Sequence, residues 1–184
     1  MALNIPSRVI HDLGLAAWFG GTLANAVALN RAAGEASDAN SSGRVANAGW
    51  NAWTPVNAAA IGAHLLGSVG QLRGNQDRLF SQKGVGAMSI TKTALTAAAL
   101  GVTAYSRVLG QKIADRPSVP VQSGTEPAAS TPPEIASAQR QLKLLQWAIP
   151  ALTGAVVVVS AFAGEQQRPQ SVLSGIGERL NPLR

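Results

Sequence analysis

The sequence predicts an all-α fold, an integral membrane antiparallel four-helix bundle, and three observations carry that expectation. Charged residues make up 13% of the 184-residue chain, about half of the roughly 25% usual in a soluble domain. Charge is absent from four long stretches, Leu13–Asn30, Val45–Leu72, Thr93–Tyr105 and Leu144–Gly164. Inside those stretches the few polar residues recur at steps of three, four and seven, which keeps them on one helical face.

A bilayer core needs about 20 mainly apolar residues in a helix, and four spans can be placed at about 8–29, 54–72, 90–110 and 143–164. Together they make a single domain over 1–168. The fourth is the clearest, with Val156-Val157-Val158-Val159 at its centre. The other three are rich in alanine and glycine. A soluble alanine-rich bundle is the alternative, and a mean hydropathy of +0.12 permits it. Soluble helices need a charged outer face, which these segments lack. Trp50, Trp53 and Tyr105 fall at predicted span ends, where amphipathic rings favour the headgroup zone. Ala24-Asn25-Ala26 imitates a leader cleavage site, but His11 and Asp12 at the start of the apolar stretch disfavour a signal core. The first stretch therefore reads as a span.

Local chemistry sets the expected boundaries. Ser7 is the N-cap expected for the first helix and Ser89 for the third. Thr54-Pro55 pairs a capping hydroxyl with proline at the first helical position of the second. Ser130-Thr131-Pro132-Pro133-Glu134 starts the fourth sharply, and Pro150 inside it predicts a kink. A Ser/Asn/Gly-rich loop is expected near 34–49. A Pro/Ser-rich linker at 116–133 is expected to be an extended surface segment. Residues 169–184 read as a short interfacial tail, with Val172, Leu173, Ile176 and Leu180 at helical spacing. With both termini on one side, the short loop carrying Arg73, Arg78 and Lys83 places them in the cytoplasm, in a multi-pass cell-membrane protein.

The polar stripes are His11, Trp18, Thr22 and Asn25; Asn57, His64, Ser68 and Gln71; Ser89, Thr93, Thr96 and Thr103; and Gln139, Gln146, Thr153 and Ser160. Small residues accompany them at Gly14, Gly21, Ala60, Gly67, Ala97, Gly101 and Gly154. Lipid-buried polar groups seek partners across helices, and small residues let backbones approach. Interhelical hydrogen bonding is thus the expected role, and a polar cavity the alternative. His64 is an intramembrane ionisable residue, the kind that marks functional sites. A bond from it to Asn25 or Thr96 is expected. The ligand alternative, binding or transport of a small solute, haem b or a quinone, would centre on His64, Trp18 and Asn25, with Asn57, Thr96 and His11 around them. Counting from Ser7 and Thr54 at 1.5 Å per residue, the two histidines differ by about 9 Å in depth, which disfavours a bis-histidine haem.

No nucleophile–base–acid set, phosphate loop or metal-ligand spacing occurs in the sequence, and cysteine is missing altogether, so no catalytic, metal or cofactor site is expected. A net charge of +6 without a basic run gives no nucleic-acid footprint. The expected role is that of a non-enzymatic accessory or scaffold subunit, with lipid, other membrane subunits or a second copy as partners. Ile135, Ala138, Leu142 and Leu145 line one face of the helix entering the fourth span, and Leu142 and Leu145 are the expected partner-docking residues.

His11-x₆-Trp18-Phe19-Gly20-Gly21 resembles the start of CopD-type four-span membrane proteins, a resemblance that implies copper handling. Met1 and Met88 are the only sulfur ligands here, both outside mid-membrane. Over more of the chain, Lys92-Thr93-Ala94-Leu95-Thr96, Ala104-Tyr105-Ser106-Arg107-Val108-Leu109-Gly110 and Gln141-Leu142-Lys143-Leu144-Leu145-Gln146-Trp147-Ala148-Ile149-Pro150, with Gly164-Glu165-Gln166-Gln167-Arg168-Pro169 after it, are similar to uncharacterised actinobacterial four-span membrane proteins. That likeness implies the four-span fold and no particular activity.

Overall fold

The computed structural model describes residues 4–76, 84–116 and 118–165, and is all-α, with no β-strand among the described residues beyond one isolated bridge, Val121 to Pro127. Helix α1 spans Asn4–Ala24 and runs through a π-helical turn, Asn25–Leu29, into the short α2, Asn30–Gly34. Three long helices follow: α3 (Ala39–Gly74), α4 (Val85–Ala114) and α5 (Pro133–Glu165). α1 packs along α3, α4 along α5, and α1 joins the two pairs through α5. α3 and α4 do not pack along one another, so the bundle is closed on three sides and cleft on the fourth.

Two of these helices, α4 and α5, are long and apolar enough to cross a membrane, with hydropathies of 1.3 and 1.8 over their best windows. Their apolar residues are not a buried core, because only 11% and 22% of those windows are buried. α1 and α3 have the length but do not reach that hydropathy. Histidine, asparagine, serine and glycine on the α1 and α3 polar faces dilute it.

Helix starts differ from expectation, each for a local reason. α1 already includes Ser7, which lies beneath Gly70 rather than capping anything. α3 begins fifteen residues before Thr54, because Asp38 caps it (φ −155°) and the expected loop is helical from Ala39. Its carboxylate accepts the backbone N–H groups of Asn40 and Ser41, both at 2.9 Å, and the Ser41 hydroxyl at 2.6 Å. Pro55 is consequently inside the helix, and the Thr54 hydroxyl donates to the Trp50 carbonyl at 2.8 Å. Ser89 is likewise interior: α4 starts after Gly84, whose φ of 84° suits a residue without a side chain. α5 starts at Pro133 as expected and keeps Pro150 within it. The tail 169–184 lies outside the described residues, as does most of the loop between α3 and α4.

Hydrogen bonds to Asp38, led by the Ser41 hydroxyl and then the Ser41 and Asn40 backbones, hold its carboxyl down at about 2, against an ordinary 3.8. A depressed carboxyl stabilises the fold above its unfolded value and stops doing so as pH falls through the folded one. Asp38→Ala should therefore speed amide exchange at 39–42 at pH 7, and the difference from the unmodified chain should shrink as pH falls towards about 2 and vanish below it. Equal protection at pH 7 would show that the cap contributes nothing.

The segment 118–132 is not the extended linker expected. Val121 is 2% exposed, its N–H donates to the Ala39 carbonyl at 3.1 Å, and it packs on Gly43. Gln122 N–H turns back to the Glu126 carbonyl at 2.8 Å, and the Thr131 hydroxyl donates to Pro120 at 2.6 Å. From α5, the buried Gln139 amide donates to the Ser123 carbonyl at 3.1 Å and the Glu126 carbonyl at 3.4 Å. Ion pairs Arg116–Glu134 (3.0 Å) and Lys143–Glu126 (2.5 Å) tie down the edges. Prolines limit the backbone, one apolar side chain anchors it, and side-chain amides satisfy its carbonyls. The result is a plug over one end of the bundle.

Candidate functional site

Two glycines on the α1–α3 contact set the level at which the histidines meet. A Cβ on Gly14 would sit 2.5 Å from the Ala60 carbonyl oxygen and 2.5 Å from the His64 backbone nitrogen; one on Gly67 would strike the Ser7 carbonyl and the His11 backbone. This close approach brings the His11 and His64 rings together, with centroids 4.4 Å apart and tilted by 44°. The expected 9 Å offset is overturned. It assumed that α3 started at Thr54 and α1 at Ser7, and neither does. Rings in contact also leave no gap for a macrocycle between them.

Trp18 comes next in the column, its ring centroid 6.0 Å from that of His64 and tilted by 60°. All three side chains are fully buried. His11 Nδ1 pairs with the Asp12 carboxylate at 2.6 Å, and His64 Nε2 meets the Thr96 hydroxyl at 3.4 Å. Of the two partners expected for His64, the structure supplies Thr96 and not Asn25, which sits on the π-turn with its amide nitrogen buried and unbonded. Thr22 and Thr153 bond back to their own helices, at Trp18 and Ile149. No group of three or more metal-ligating side chains gathers among the described residues.

Asn57 is not part of that column. It lines a cavity of about 300 Å³ in the α3–α4 cleft, nearer the plugged end, with its side-chain oxygen unbonded. Trp50 and Trp53, expected as interfacial anchors, turn inward to the same cavity. There the Trp50 indole donates to Asn30 Oδ1 at 2.9 Å, and Asn30 donates to Gln146 at 2.7 Å, so one buried asparagine links α2, α3 and α5. Sequence reading missed Asn30 and Asn51. A usable signal existed: proline withdraws the donor from the carbonyl four residues earlier, and Pro55 and Pro150 point to Asn51 and Gln146. Both line the cavity.

A second cavity, about 560 Å³, occupies the other half of the cleft beside Lys92 and Thr96. Leu100 lines both cavities, so the His64–Thr96 contact and Leu100 divide one cleft. Ala97 and Gly101, expected as helix-contact positions, do not make one. Ala97 lines the second cavity, and a Cβ on Gly101 would meet nothing within 4 Å.

Leu142 and Leu145 are not a free docking face. They pack on the cluster of Leu109, Ile113, Ile135 and Ala138, because α4 continues to Ala114 beside them. The large apolar residues α5 does expose are Leu144, Trp147, Val157, Val158 and Phe162.

Comparison with protein-family models, curated proteins and solved structures finds no match to this chain.

Proposed function

We propose that this protein is a multi-pass membrane protein of the cell envelope with a non-enzymatic role, a helical subunit that packs against lipid and partner membrane proteins. The observation that carries the reading is the outward apolar surface. Leu13 on α1, Leu66 on α3, Ile90 on α4 and Leu144 on α5 are each at least 67% exposed, and further leucines, valines and isoleucines join them along every long helix. Monomeric soluble proteins rarely show contiguous apolar patches above a few hundred Å², and lipid or partner helices are the surroundings that suit such a belt. α1 and α3, more polar than a lone span, would cross because their polar faces turn toward each other and toward the cleft.

The buried polar groups support the non-enzymatic half. Thr22, Ser68 and Thr153 donate to their own helix backbones, and Asn30, Gln146 and Gln139 hold separate segments together. Those are structural uses. Carbonate washing of membranes from expressing cells tests the location: the protein should stay in the pellet and leave it only with detergent. Release into the carbonate supernatant would refute the membrane reading.

A further inference from the structure

The cavity at the plugged end of the cleft has four properties that together describe its occupant. First, among the described residues its lining carries one charged residue, Arg107, and no carboxylate. Among the described residues the guanidinium has one long bond, 3.4 Å to the neutral Asn51 side chain. Second, four residues of the lining carry a buried polar atom that has no partner among the described residues: Trp53 Nε1, Asn57 Oδ1, Thr103 Oγ1 and Ser106 Oγ. Buried groups of this kind are normally satisfied, and three of these are donors. Third, the charge and the deep apolar lining lie at different levels. Leu100 is about 10 Å deeper along α4 than Arg107, with Ile61 and Ile149 also in the lining, and the α4 residues on the plug side of Arg107 are Gly110, Ile113 and Ala114. Fourth, Gly124 and Thr125 of the plug close the end, which leaves the unpacked α3–α4 side as the way in.

We propose that this cavity binds an anionic amphiphile that enters sideways from the bilayer. Its phosphate or carboxylate head lies against Arg107 and the Thr103 and Ser106 hydroxyls. Its acyl chain runs along Ile61, Leu100 and Ile149. Arginine suits this head, since its planar fork donates to oxyanions and is more weakly hydrated than an ammonium. A volume of about 300 Å³ holds the head and the first part of a chain, the remainder following the cleft past Leu100. The head chemistry is shared by an acidic phospholipid and a free fatty acid, and the experiment separates those sources. The inference rests on the membrane reading.

The test is native mass spectrometry of the full chain, extracted from membranes in mild detergent and supplied in turn with phosphatidylglycerol, oleate and phosphatidylcholine. One anionic molecule per chain should survive activation, and phosphatidylcholine should not. Retention of phosphatidylglycerol alone assigns the site to a phospholipid, and of oleate alone to a free fatty acid. Arg107→Gln should lower retention by about tenfold, the worth of one charge-assisted contact. Gly110→Leu keeps the charge and fills the space, since a Cβ there meets nothing within 4 Å and the residue lines the cavity. It should abolish retention while leaving thermal stability unchanged or higher. Lys112→Gln, an exposed neighbour, should change nothing. Equal retention of the zwitterionic lipid, unchanged retention in both cavity variants, or an equal loss in Lys112→Gln would overturn the proposal. A chain recovered in the soluble fraction would refute the membrane reading itself. A chain that stays in the membrane and holds no anionic lipid would refute only this site.

Discussion

Gly67→Ala and Gly14→Ala are expected to be the most damaging single-methyl changes in the chain. At both positions the added carbon meets backbone of the neighbouring helix, and backbone cannot rotate away as a side chain can. The Gly14 methyl would lie 2.5 Å from a carbonyl oxygen and 2.5 Å from a backbone nitrogen of α3; the Gly67 methyl would meet the α1 backbone at Ser7 and His11. Relief requires α1 and α3 to separate along the contact that holds the histidine column. Overpacking of this kind costs typically about 1–3 kcal/mol, and the forced shift of a whole helix puts these two at the upper end. Gly62→Ala and Gly101→Ala, where an added carbon meets nothing within 4 Å, should be neutral or stabilising through better helix propensity. Unfolding titrations in mixed micelles check the contrast. Similar midpoints for all four variants would mean that the α1–α3 contact is looser than described.

That contrast also shows how far the sequence could be read. Which residues face inward was legible on α1, α3 and α5, because interior polar and small side chains recur at helical steps. His11, Trp18 and Thr22 are buried on α1, His64 and Gly67 on α3, and Gln139 and Thr153 on α5. Low charge content, the charge-free stretches and the helical spacing of their polar residues together carried the helical class.

Boundaries and register were not legible, for a common reason: tertiary contacts override local preference. Asn40 to Gly49, within the loop expected at about 34–49, is rich in serine, asparagine and glycine, which are poor helix formers. It is helical because Asp38 caps it and because Ser42, Gly43 and Ala46 are buried, with Gly43 beneath Val121 of the plug. The plug itself reads as an open linker until Gln139 is seen to hold its carbonyls. The cleft was invisible for a different reason. Ala97 and Gly101 have the pattern of a helix contact, and no periodicity states that α3 fails to arrive. A cavity is a property of which elements do not touch, whereas sequence patterns report only which faces are able to.

Trp18→Ala should be the costliest side-chain truncation. The indole is 0% exposed and clusters with Ala60 of α3, Ala99 of α4 and Ile149 of α5, so one side chain from α1 fills the volume where all the long helices converge. Its buried neighbours on α3 and α4 are alanines, which cannot extend to close a void. Removing a buried tryptophan costs about 3–5 kcal/mol when the site relaxes poorly. Trp18→Phe should cost distinctly less, because the indole N–H has no partner to lose and only part of the volume goes. Trp147, half exposed on the outer face of α5, supplies the comparison: Trp147→Ala should stay within about 0.5 kcal/mol, the usual range for surface changes. The same micelle titration reads all three. The order Trp18→Ala, then Trp18→Phe, then Trp147→Ala is the expected one. If Trp147→Ala is as damaging as Trp18→Ala, the outer face of α5 is packed against something as firmly as the core is, and a tight partner, not lipid, covers it.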